Sequence, residues 1–170
     1  MLLKINHETR YNYDKPVQYG LQQLRLRPKE RPGQRILDWN IEIEGGLVEL
    51  SFEDQHCNHV DLINIERGRS EIVIRCTGEV ENTDGSGVIG YVSGYLMMSD
   101  RVDQDATHAW AEAYVEHIGW VGFDVSNGYS PDERYVRVAT GLDYRDASPI
   151  TGLRYGAGSE DMIVSLQVQQ

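Results

Sequence analysis

From residue 3 to residue 13 the chain alternates strictly. Leu3, Ile5, His7, Thr9, Tyr11 and Tyr13 fall on one side, and Lys4, Asn6, Glu8, Arg10 and Asn12 on the other. A period of two with one mostly apolar side marks a half-buried strand. Leu37, Trp39, Ile41 and Ile43 alternate in the same way with Asp38, Asn40, Glu42 and Glu44. After Gly45-Gly46, the residues Val48, Leu50 and Phe52 alternate with Glu49, Ser51 and Glu53. Two strands joined by a short glycine turn predict a hairpin. Residues 60–65 and 72–80 supply two more strands, while Pro28 and Pro32-Gly33 break the chain between Leu26 and Ile36. Residues 1–84 are therefore expected to form an antiparallel β-sandwich.

The second half is also rich in strands. Residues 91–98, 107–115, 120–126, 135–139 and 162–168 have strand length and composition. The alanines of 107–115 also suit a helix, so periodicity leaves that segment open. Nowhere does a long, capped helical pattern occur. Asn82-Thr83-Asp84-Gly85-Ser86-Gly87 has the composition of a linker. The expected organisation is a first domain at 1–84, a linker at 85–90 and a second, sheet-based unit at 91–170.

Composition narrows the class of partner. The formal net charge of −11 opposes binding to a nucleic-acid backbone or an anionic membrane. No run has the length of a membrane-spanning helix, and the first residues lack a signal-peptide hydrophobic stretch, so a cytoplasmic location is expected. Two cysteines, Cys57 and Cys76, are too few for a disulfide framework. No cofactor or metal is expected. Imidazole and thiol at His56, Cys57 and His59 suit zinc by type, but three ligands in one short turn read more simply as a polar turn. His7 lies on an apolar strand face and reads as a hydrogen-bonded core histidine. Cys76 shares its strand face with Ile72 and Ile74 and reads as core. Cys57 stands at a turn position where a positive φ is expected, which strains any residue but glycine.

One pair of residues carries candidate chemistry. Asp105-Ala106-Thr107-His108-Ala109-Trp110-Ala111-Glu112 precedes Gly119-Trp120-Val121-Gly122-Phe123-Asp124. A turn at 116–119 makes the two segments a hairpin. If paired residue numbers sum to 234, His108 and Asp124 are diagonal neighbours on one face; a sum of 235 puts them on opposite faces. A carboxylate beside a histidine fixes the imidazole tautomer and stabilises the imidazolium. Such an imidazole can take the proton of a thiol that attacks an acyl carbon. The same spacing also describes a surface histidine and a turn aspartate.

Family resemblance favours the first description. Tyr91-Val92-Ser93-Gly94-Tyr95, Thr107-His108-Ala109-Trp110-Ala111-Glu112 and Gly119-Trp120-Val121-Gly122-Phe123-Asp124-Val125-Ser126-Asn127-Gly128 together resemble the C-terminal part of the bacterial transglutaminase-like core. The run 135–141, Asp143-Tyr144 and Ser148-Pro149-Ile150-Thr151-Gly152 is similar to the same family. His7, Tyr11, Tyr13, Pro16-Val17, Leu24-Arg25-Leu26-Arg27-Pro28 and Gly33-Gln34 resemble the β-rich domain that precedes that core. The resemblance implies a papain-like core and a Cys–His–Asp triad in which His108 and Asp124 are the catalytic histidine and aspartate. It implies thiol-dependent acyl transfer on glutamine, or peptide hydrolysis, with a protein or peptide as substrate or partner.

The resemblance also predicts a loss. In the family a long, partly helical region separates the β domain from the Tyr-Val-Ser-Gly-Tyr strand, and the cysteine opens a helix within it. Here Gly87-Val88-Ile89-Gly90 runs straight into Tyr91, and no cysteine follows Cys76. An internal deletion near Gly90–Tyr91 is inferred, which leaves the chain without its nucleophile and inactive alone. A non-catalytic protein-binding module, or half of an enzyme completed by a separate chain, are the alternatives. Removal of the helical layer is expected to uncover one face of the C-terminal sheet and to favour self-association.

Overall fold

A computed structural model describes residues 1–83, 90–156 and 158–170. The first sheet has five strands in the order β3 (Gln34–Glu44), β6 (Glu71–Asn82), β1 (Leu2–Tyr13), β13 (Glu160–Gln169) and β8 (Asp103–Gln104). The second has four, β12 (Ile150–Tyr155), β2 (Tyr19–Leu24), β5 (His59–Ile65) and β4 (Gly46–Glu53). The third also has four, β10 (Gly119–Phe123), β9 (His108–Val115), β7 (Gly90–Leu96) and β11 (Tyr135–Gly141). All recorded pairings are antiparallel. The helix α1 (Tyr144–Ala147) is a single turn capped by Asp143. The fold is thus mainly β, as the alternation predicts, and 107–115 resolves as a strand. No helix among the described residues is long and apolar enough to cross a membrane.

One strand organises two cores. The odd positions of β1 all point to one side of the first sheet. Tyr11 and Tyr13 enter a core shared with the second sheet, together with Leu24, Ile63, Ile65, Ile72 and Ile74. Leu3 and Ile5 enter a core shared with the third sheet, together with Tyr95, Val136, Val138 and Leu166. The second and third sheets therefore lie side by side on the same face of the first. At the seam sits His7, 2% exposed. Its Nδ1 is 3.0 Å from the Tyr95 hydroxyl, and its Nε2 is 2.9 Å from Oγ1 of Thr9. It is the hydrogen-bonded core histidine that its position predicts, and burial holds its pKa down at about 4.

Two expectations need revision. The glycine turn between β3 and β4 does not make a hairpin: β3 pairs with β6 and β4 pairs with β5. Gly45-Gly46 is a corner where the chain leaves one sheet for another. Gly45 has φ 84°, and a Cβ there would come within 2.6 Å of the Glu71 carbonyl oxygen. Nor do the sheets divide as the chain was expected to divide. Strand β13 lies between β1 and β8, and β12 pairs with β2, so the end of the 91–170 segment completes the sheets of the 1–84 segment. Of the expected linker, residues 85–89 lie outside the described residues, and Gly90 opens β7.

Candidate active site

Strands β9 and β10 form the expected hairpin. Gly119 pairs with Val115 and Phe123 with Ala111, so partner numbers sum to 234. That register sets His108, Trp110 and Glu112 on one face with Trp120, Gly122 and, one residue beyond β10, Asp124. The turn carries His117 at φ 68° and Gly119 at φ 100°, and His117 is solvated.

His108 and Asp124 meet on that face. Nε2 of the imidazole is 2.7 Å from Oδ2 of the carboxylate. The Asp124 side chain is wholly buried, while the His108 side chain remains 20% exposed. Nδ1 of His108 has no hydrogen-bond partner among the described residues. Asp124 is held on both oxygens. Oδ1 accepts the backbone N–H of Ser126 at 3.0 Å and of Asn127 at 3.2 Å. Oδ2 also accepts from Asn127 Nδ2 at 2.7 Å and from the Tyr135 hydroxyl at 2.5 Å. Burial alone would raise the pKa of this carboxyl. The bonds from Tyr135, Asn127 and His108 outweigh burial and hold it down at about 2. Asp124 therefore stays ionised and keeps His108 with its proton on Nε2 and the Nδ1 lone pair directed away from the carboxylate.

The rest of the face fixes the imidazole. Trp110 stacks on it at 6.1 Å between ring centroids, and Tyr135 meets it edge-on at 5.8 Å. The indole of Trp110 donates from Nε1 to Glu112 at 2.7 Å, and Arg137 Nε donates to the same Glu112 oxygen at 2.7 Å. Gly94 lies opposite His108 in β7, and a Cβ there would stand 1.9 Å from the Val136 carbonyl oxygen and 3.1 Å from the Trp110 ring. A cleft of about 440 Å³, lined by Met98, Arg101, Gln104, Thr107 and His108 among others, opens beside the imidazole.

The face expected to be uncovered is closed in part. Val92, Leu96, Trp110 and Tyr135 are buried in one cluster. Pro131 lies against Gly122, and the Tyr129 ring packs edge-on against Tyr135. The loop after Asp124 thus folds back over its own sheet.

Neither cysteine is hydrogen-bonded to His108. Cys76 is fully buried, and burial pushes its thiol up to about 12. Cys57 is exposed in the turn between β4 and β5 with φ 57°, the left-handed conformation expected of it. Its neighbours point elsewhere. His56 Nε2 is 3.1 Å from Asp146, and His59 Nε2 is 3.0 Å from Asp61. Among the described residues no group of three or more His, Cys, Asp or Glu is arranged to hold a metal ion.

Asn127 and Tyr135 complete the site, and neither is a candidate from sequence spacing. Asn127 had a signal available: an aspartate followed by Val-Ser-Asn-Gly suits a turn whose side chain accepts the next backbone N–H groups. Tyr135 had none, since it arrives through the pairing of β11 with β7.

Comparison with known proteins bears on the family and the fold. Residues 3–81 match the family model for the bacterial transglutaminase-like N-terminal region, and residues 89–125 match that for the transglutaminase-like superfamily core. The chain belongs to the bacterial transglutaminase-like family. The core match ends one residue past Asp124 and includes His108. An "uncharacterized protein" of Mycobacterium tuberculosis is 38% identical over 88 residues, covering 46% of this chain and 28% of that protein. Another from Mycobacterium leprae is 32% identical over 83 residues, covering 46% of this chain and 29% of its own length. The match thus spans less than a third of the length of these relatives. The fold of this transglutaminase-like chain is similar to the crystal structure of a "putative cysteine protease" from Cytophaga hutchinsonii. That match has a TM-score of 0.73 over 100% of this chain and 91% of that one, at 13% sequence identity.

Proposed function

We propose that this transglutaminase-like chain carries the histidine and aspartate of a thiol acyl-transfer site and lacks the sulfur that would use them. The supporting observation is the 2.7 Å bond from His108 Nε2 to a buried, ionised Asp124, with the other ring nitrogen left without a partner among the described residues. In this reading Nδ1 of His108 is the base, and Asp124 is its orienting group, itself held by Tyr135 and Asn127. The chain alone forms no acyl-enzyme, because Cys76 is buried and Cys57 sits in an exposed turn, makes no hydrogen bond to His108 and opens no helix, with its neighbours tied to other partners. Its family chemistry, thiol-dependent transfer of a glutamine acyl group or peptide hydrolysis, requires a sulfur from outside. Loss of a segment near Gly90–Tyr91 accounts for its absence.

A small thiol added in solution tests this reading. With an activated ester such as p-nitrophenyl acetate, the thiol sulfur attacks the carbonyl carbon, its proton passes to His108 Nδ1, and nitrophenolate leaves. Wild-type protein is expected to accelerate thiolysis several-fold over His108→Ala, and Asp124→Asn to lose most of that gain. Without added thiol, no incorporation of a fluorescent amine into a glutamine-bearing protein is expected. Equal thiolysis by wild type and His108→Ala would sink the reading, as would amine incorporation by the chain alone that His108→Ala abolishes.

A further inference from the structure

The outer faces of the first and second sheets are built differently. That of the first sheet is crossed by ion pairs, among them Arg10–Glu71 at 2.6 Å, Arg35–Glu81 at 3.0 Å and Arg75–Glu8 at 2.7 Å. Such a face is made for water. The second sheet, whose inner face forms the core with Tyr11 and Tyr13, presents something else outward. The register sets Leu153 beside Leu21 and Tyr155 beside Tyr19, while Leu47 lies opposite Asn64 and Leu50 opposite Leu62. Parity places all of these on the face away from the core, with Phe52 opposite Val60 on the same side. Leu47 is 62% exposed, Leu50 55%, Leu153 64% and Tyr155 75%, with Phe52 and Tyr19 at 38% and 47%.

We propose that this face is where two copies of the chain pack together. Those six side chains leave roughly 700 Å² of mostly apolar surface in water, against about 800 Å² per partner in a standard interface. Charge favours this face over others for a chain of net charge −11, because like charges are kept out of the contact. Glu49, set between Leu47 and Leu50, is hydrogen-bonded by the Asn64 amide at 2.9 Å and lies on the open edge strand. The face is also complementary to itself. Leucines and a phenylalanine line the β4 edge, and tyrosines with Leu153 line the β12 edge. A two-fold axis parallel to the strands lays β4 of one copy over β12 of the other. The shared register then sets Leu47 of each copy over Leu153 of the other, with Leu21 beside them, and leaves the tyrosines toward one end of the contact. This surface is separate from the His108 face, so the inference stands apart from the acyl-transfer reading.

Sedimentation velocity from micromolar to hundreds of micromolar protein tests it. Wild type is expected to pass from monomer to dimer. Leu50→Glu and Leu153→Glu, at opposite edges of the face and both exposed, are each expected to weaken the dimer at least tenfold while leaving the far-UV circular dichroism unchanged. Val125→Glu, at a site 90% exposed beside the His108 face, is expected to leave dimerisation as it is. A monomer at every concentration overturns the proposal. So does a dimer indifferent to both face substitutions, or one that Val125→Glu alone dissociates. Because two substitutions at separate exposed sites are read together, misfolding of one does not decide the result.

Discussion

Replacing Asp124 with asparagine keeps the shape of the side chain and removes its charge. The amide oxygen can still accept the N–H groups of Ser126 and Asn127, but an amide nitrogen at the Oδ2 position meets three groups that donate in the native site. The Tyr135 hydroxyl can turn, and the imidazole can change tautomer, while the Asn127 amide is left unpaired. The loss at neutral pH is about 2–4 kcal/mol, the scale for charge-assisted bonds broken in a buried place. Part of it depends on pH. Asp124 has a folded pKa of about 2 against an ordinary value of 3.8, so its ionised form is favoured by folding. That difference is worth on the order of 2 kcal/mol. Because the folded value is the lower one, this stability is fully present above pH 4–5 and is lost as pH falls toward 2. The assay is urea unfolding of wild type and Asp124→Asn at pH 7, 5 and 3. Titrating groups that do not touch Asp124 are common to both proteins and cancel in the difference, and His108, which does touch it, is followed separately through its imidazole resonances. The gap is expected to hold from pH 7 to 5 and to narrow by about 1 kcal/mol at pH 3. A gap that stays constant or widens at pH 3 would refute the claim that these three donors hold the carboxylate ionised.

Three other outcomes follow from local geometry. Gly94→Ala is expected to cost more than about 3 kcal/mol or to prevent folding, because its Cβ collides with the Val136 carbonyl and the Trp110 ring; a soluble variant with near-native urea midpoint would contradict the packing. Cys57→Gly is expected to raise stability by about 0.5–1 kcal/mol, since φ 57° strains any side chain there, and a lowered unfolding midpoint would count against it. The His7 imidazole resonances are expected to titrate near pH 4, and stability to fall by on the order of 3 kcal/mol between pH 6.5 and 4, because the unfolded chain takes up the proton first; a midpoint near 6.5 would show that His7 is not sealed at the seam.

Strand existence was legible because alternation reports burial directly. In β1 and β6 the side-chain period announces which residues face a core, and those faces are the buried ones; in β3 a bulge after Ile36 turns Leu37 out to solvent and leaves Trp39, Ile41 and Ile43 half-buried. Alternation does not name the partner strand. Gly45-Gly46 looks the same in sequence whether the chain reverses within one sheet or steps to another, and only the crowding against Glu71 and Asn64 distinguishes them. The return of β12 and β13 to β2 and β1 was hidden for the same reason: pairings separated by more than a hundred residues leave no local mark. Short strands such as β2 were also missed, since Tyr19–Leu24 carries only three core-facing positions, one of them a glycine and one a glutamine.

The site divides along the same line. His108 and Asp124 share a hairpin, so a single parity argument places them on one face, and the register of 234 is fixed by a tight turn with two positive-φ residues. What makes the pair more than two neighbours comes from elsewhere in the chain. Tyr135 reaches Asp124 only because β11 crosses to the far edge of β7, and Gly94 admits the Trp110 ring that stacks on the imidazole. A surface histidine beside a turn aspartate needs none of these. A buried carboxylate with five hydrogen bonds, whose desolvation cost is offset by three side-chain donors, is an expensive arrangement to keep unless the orientation of the imidazole matters. Local sequence could show that the two residues meet; the long-range pairings show how firmly the imidazole is held.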